Sequence, residues 1–92
     1  MVKQTNEIGY DILDLIKSAK EHVPEDCLVH ANSFLIQHAF VYSFEEVVEQ
    51  LISHNITIPR SLFESINRIG IYLEIKRDAW ASLESKTNNS QC

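Results

Sequence analysis

The chain has 92 residues, 45% of them apolar and 23% charged, with only 2 Gly, 2 Pro and 2 Cys. This is the composition of one small globular domain, and it excludes a disordered acidic tail, a low-complexity segment and a second domain. Its 13 acidic and 8 basic residues give a formal charge of −5. The bases are scattered, with Lys76-Arg77 the only adjacent pair, so the basic stripe that a nucleic-acid binder requires is missing.

The opening MVKQTNEIGY lacks the apolar stretch of a signal peptide, and no apolar run reaches the ~18 residues of a spanning helix. The expectation is a cytoplasmic protein with no membrane partner. Cys27, inside a helical pattern, and Cys92 read as two free thiols rather than a disulfide framework, which fits a reducing compartment. A core of this size leaves little room for a deep active-site cavity, which favours binding over catalysis.

Ile8, Ile12, Leu15, Ile16, Ala19 and Val23 recur at helical spacing and predict a first helix over residues 6–22, with Asn6 as N-cap and Pro24 limiting its far end. A second helix over 24–38 starts with Pro24 in its first turn and with Glu25 and Asp26 at the positive end of the dipole. Cys27, Leu28, Ala31, Phe34, Leu35 and His38 form its stripe.

Ala39 to Tyr42 reads as a connector with buried side chains. Ser43 and Glu46 then form a capping box, with Tyr42 and Val47 as hydrophobic staple, and open a third helix over 43–54. Its stripe is Phe44, Val47, Val48, Leu51 and Ile52, and Asn55 suits the left-handed residue that ends it.

Thr57 caps a fourth helix with Pro59 in its first turn and Leu62, Phe63, Ile66, Ile69 and Leu73 on one face. From Ile69 to Ile75 the chain is apolar on nearly every side around Gly70, so the helix is either deeply buried there or broken. A short segment over 78–83 follows, capped by Asp78 with Trp80 inward, and residues 85–92 form a flexible polar tail. With no strand alternation and no hairpin signal, the predicted fold is all-α: a small antiparallel bundle of four to five helices in one domain over 1–84.

The residues offer little catalytic chemistry. Cys27 and His30 are the one pair at ligand spacing, with His38 further along near the same face, while His22 and His54 stand apart. An ordinary helix carrying a buried Cys accounts for them, and no metal or cofactor is assigned. Gly9 and Gly70 stand alone, so no phosphate-cradling loop exists. No G-x-S-x-G or other nucleophile context occurs, and the acids fall on polar faces, where a carboxyl is not tuned for acid–base work at neutral pH. No catalytic residue and no enzyme are predicted.

The distribution of acids is more informative. Glu7, Asp11 and Asp14 share one strip of the first helix beside its apolar face, continued by Ser18, with no Lys or Arg among them. Glu45, Glu46 and Glu49 lie opposite Phe44, Val48 and Leu51 on the third helix, again without a basic neighbour on that helix. The bases cluster on the fourth helix and beyond it. Two readings are open: solvated faces that keep an acidic protein soluble, or a docking surface for a basic protein. Phe40 and Val41 either plug the end of the bundle or flank that surface. Tyr42 is either a staple or an aromatic anchor beside the acids.

Phe34-Leu35-Ile36-Gln37-His38, Tyr42-Ser43-Phe44-Glu45, Leu51, Asn55-Ile56-Thr57-Ile58, Leu62-Phe63, Ile66 and Ile69-Gly70 together resemble small bacterial immunity proteins of the MafI type and the related CdiI-like proteins, over residues 25–75. The turn after His38 departs from that pattern, with Ala39-Phe40-Val41 where the family carries a glutamate and a glycine, and Asn55 stands at a glycine position. The resemblance implies a cytoplasmic antitoxin without catalytic residues, which binds and neutralises a cognate polymorphic or contact-dependent toxin domain, often a nuclease. The expected partner is that toxin domain, and the distribution of acids suggests that it is bound through Glu7, Asp11 and Asp14 or through Glu45, Glu46 and Glu49, with Tyr42 as anchor and the chain itself a monomer or weak homodimer. The alternative is a helical adaptor assembling through Ile71, Tyr72 and Ile75.

Overall fold

The structure is a computed structural model and describes residues 5–88, with side chains from 7 to 87. Helix α1 spans Thr5–Ala19. A 3-10 turn at Glu25–Leu28 runs into α2, Val29–Ile36, and α3 covers Phe40–Ser53. A two-residue strand β1, Ile58–Pro59, leads into α4, Arg60–Tyr72, and 3-10 turns at Arg77–Ala79 and Ala81–Lys86 precede β2, Thr87–Asn88. The fold is a small all-α bundle, as expected. Helix α1 packs on α2, α3 and α4, and α2 packs on α3.

The expected stripes make the core. Ile8, Ile12, Leu15, Ile16, Ala19 and Val23 are buried from the α1 side, Phe44, Val47, Val48 and Leu51 from α3, and Leu62, Phe63, Ile66 and Ile69 from α4. Helical periodicity determines which side chains leave water, and that burial is the main driving force for docking the helices. Ile52, expected in the α3 stripe, is 40% exposed instead.

Gly70 does not break α4, and a later part of the chain explains why. Trp80 lies against Gly70 so closely that a Cβ there would sit 2.3 Å from two of its ring carbons. The indole is 1% exposed, meets Phe44 edge-on at 5.7 Å, and donates its Nε1–H to Asn67 Oδ1 at 3.2 Å. A missing side chain on α4 thus makes the space into which the expected inward Trp80 fits.

Several expected boundaries differ. Asn6 is already helical rather than a cap, and α1 ends at Ala19, with a turn over residues 20–22. Glu25–Leu28 is 3-10 rather than the first turn of a continuous helix, so the second helix is shorter than the pattern suggested. Phe40, Val41 and Tyr42 are not a connector but the first turn of α3. Ser43 therefore cannot be its N-cap. It is fully buried, and its hydroxyl donates to the Ala31 carbonyl of α2 at 2.8 Å. Glu46, the other half of the expected box, accepts from Gln50 Nε2 at 3.2 Å, and Tyr42 pairs with Phe34 instead of stapling Val47.

Thr57 and Asp78 do not cap either. Pro59 precedes α4 and Lys76 precedes the next turn, neither with a side-chain cap bond. Of the expected tail, Ser85 and Lys86 belong to the last 3-10 turn, and residues 87–88 pair in parallel with β1, Ile58 opposite Thr87 and Pro59 opposite Asn88. Positions 89–92 lie outside the described residues.

Three helices end on a left-handed residue that is not glycine: His38, Asn55 and Glu74, with φ of 61°, 52° and 62°. After α2 the amide of Ala39 donates to Phe34 O at 2.8 Å and that of His38 to Leu35 O at 3.0 Å. After α4 the amides of Ile75 and Glu74 repeat the arrangement onto Gly70 O and Ile71 O. Both are Schellman ends, in which the reversed residue lets two orphan carbonyls be satisfied.

Candidate functional site

On α3, Tyr42, Glu45, Glu49 and Ile52 are separated by 3, 4 and 3 residues and therefore share one face of the helix. All four are exposed, Tyr42 at 62%. The ring of Tyr42 rests on Phe34 of α2 with centroids 5.6 Å apart, which fixes the aromatic end of the stripe. Glu45, Val48, Glu49, Ile52 and Ser53, with Ala79 opposite, line an open groove of about 510 Å³. Its floor is apolar and two carboxylates rim it. Among the described residues neither Glu45 nor Glu49 has an ion-pair partner.

Glu46 departs from this face. Its side chain is 20% exposed, bonded to Gln50 and 4.0 Å from His30 Nδ1 of α2. The expected trio therefore divides into two free carboxylates on the groove and one held between α2 and α3.

The acid strip of α1 is more compensated than its own helix suggests. Asp11 and Asp14 line a cleft of about 130 Å³ together with Leu15, Ser18, Leu62, Ser65 and Arg68. Arg68 comes from α4, so a base of the kind the strip itself lacks lines the same cleft. Glu7 and Asp11 also have interactions within the molecule, whereas Asp14 is exposed. Phe40 faces α1, where a Cβ on Gly9 would lie 3.5 Å from its ring, and it stacks with His38 at 5.6 Å. It is half-buried at the end of the bundle, while Val41 is 38% exposed.

The Cys and His residues regroup. Cys27, expected beside His30, instead has its Sγ 3.5 Å from His54 Nε2 at the end of α3. His38 sits at the turn after α2, stacked with Phe40. Among the described residues no group of three His, Cys, Asp or Glu side chains is placed to hold a metal. Ile52, expected in the buried stripe, is a groove residue instead, and Ala79 of the groove and the Cys27–His54 contact carry no mark in the sequence.

No family model matches the chain, and no curated protein and no solved structure is similar to it. Among the described residues no helix is long and apolar enough to cross a membrane.

Proposed function

We propose that this protein is a binding module of the immunity type, which docks the α3 face onto a basic toxin domain in the cytoplasm and occludes it stoichiometrically. The observation that carries the reading is the exposed stripe of Tyr42, Glu45, Glu49 and Ile52, whose two carboxylates lack ion-pair partners among the described residues. An aromatic anchor, an apolar floor and an unneutralised rim combine the ingredients of a hot spot with those of electrostatic steering. A cationic cleft that holds phosphates would accept these carboxylates in their place. The resemblance of residues 25–75 to MafI-type proteins points the same way, although that family's charged turn is replaced here by Ala39-Phe40-Val41.

The test is association with the toxin-like domain encoded beside this gene, followed by stopped-flow mixing at low and moderate salt. The variant Glu45→Lys/Glu49→Lys should lower the association rate by about tenfold or more at low salt. A neighbour with no such domain, or an unchanged rate, would count against the reading.

Exposure of Ile71, at 54%, favours the second reading, an adaptor assembling through the end of α4. Sedimentation separates the two, because only the adaptor requires a dimer at micromolar concentration.

A further inference from the structure

The pair formed by Cys27 and His54 has no part in the docking face. We infer that it is a thiol–imidazole site that exchanges with low-molecular-weight disulfides and takes a covalent thiol adduct at Cys27. Two contacts support this. His54 Nδ1 lies 2.9 Å from the Gln50 carbonyl. A carbonyl only accepts, so Nδ1 carries a proton, and in the neutral ring Nε2 then presents its lone pair. That lone pair is directed at Cys27 Sγ, 3.5 Å away, the arrangement in which a base takes the proton of an attacking thiol.

The two side chains are also held by the fold rather than by chance. Cys27 sits on the 3-10 turn anchored by fully buried Leu28, and its amide donates to Pro24 O at 3.0 Å. His54 is the C-cap of α3, its amide bonded to Gln50 O at 3.1 Å. The thiol is half-buried and the imidazole exposed, so a small disulfide can approach from solvent.

The step is an exchange. Cys27 Sγ attacks one sulfur of the disulfide, and its proton passes to His54 Nε2. A protein–ligand S–S bond forms as the original S–S bond breaks, and the departing thiolate takes the proton from the imidazolium. One disulfide is consumed and one thiol released, with no further oxidant.

The experiment uses the full chain with Cys92→Ser, so that only Cys27 reports. Its reaction with dithiobis(nitrobenzoate) is followed by absorbance, and its adduct with glutathione disulfide by intact mass. Substituting His54→Gln or His54→Ala should slow the native thiol by about tenfold or more. In guanidinium chloride, where the pair is lost, all variants should react alike. Native variants that keep the parent helical signal and react at the parent rate would overturn the inference. If the variants do not fold, the parent alone decides: its native thiol must outpace its unfolded one, and a slower native thiol refutes the pair. The readout involves no partner of α3, so its failure is separable from failure of the docking proposal.

Discussion

Replacing Gly70 with Ala brings two opposing effects into one residue. Inside a helix Ala is favoured over Gly by up to ~1 kcal/mol. Against this, the new Cβ would stand 2.3 Å from Cη2 and Cζ3 of Trp80 and 3.0 Å from Cε3. Carbon pairs settle near ~3.5–4.0 Å, so the indole must retreat by about 1 Å or more. It has nowhere to go: Trp80 is 1% exposed, edge-on to Phe44, and tied to Asn67.

Overpacking of this kind costs ~1–3 kcal/mol, and losing the indole hydrogen bond adds about 1 kcal/mol. Subtracting the propensity gain leaves a destabilisation of about 1–3 kcal/mol. For a chain of this length that lowers Tm by about 5–20 °C. Gly9→Ala is the internal control, because its Cβ would meet the Phe40 ring at an ordinary 3.5 Å. There the propensity term acts alone, and stability should rise by up to ~1 kcal/mol. Urea titration followed by Trp80 fluorescence measures both. A Gly70→Ala protein as stable as Gly9→Ala would refute the close packing of the indole on α4.

The other predictions concern caps, turns and the docking face. Ser43→Ala should cost about 1–2 kcal/mol, since it strips a buried hydroxyl that bonds α3 to α2. Glu46→Ala should cost less than about 0.5 kcal/mol; equal losses in urea melts would restore the capping-box reading. Glu74→Gly should stabilise by about 1 kcal/mol by relieving a left-handed backbone at an exposed position, and a lower Tm would contradict this. The pair Glu45→Lys/Glu49→Lys should leave stability nearly unchanged, within about 0.5 kcal/mol, while altering association. A large loss of stability would mean that these carboxylates have a structural role.

The fold class and most of the core were legible because burial repeats with the helix, and Ile8 through Val23 or Leu62 through Ile69 need no knowledge of their neighbours. The starts of helices were misread where a side chain serves a distant partner. Ser43 has every local mark of a cap, yet its hydroxyl is taken by a carbonyl twelve residues away. Asn55 was legible as a left-handed residue because its side chain tolerates that conformation. His38 and Glu74 were not, since neither carries such a preference. The site was half legible. Glu45 and Glu49 emerged as a pair, but the separation of Glu46 depends on His30 and Gln50. The cleft shared by Asp14 and Arg68 depends on how α1 lies on α4.

The fit of Trp80 on Gly70 also sets the alignment of the last part of the chain. Residues 77–86 form two short 3-10 turns, a conformation whose hydrogen bonds alone do little to hold a segment in place. The indole of Trp80 occupies the space that a side chain at position 70 would need. Sliding the segment by one residue would offer it Ala79 or Ala81, leaving a void beside Phe44 and Asn67. The glycine therefore acts as a keyway and the indole as its key: one missing Cβ selects a single register for the strap and so aligns Thr87 with Ile58.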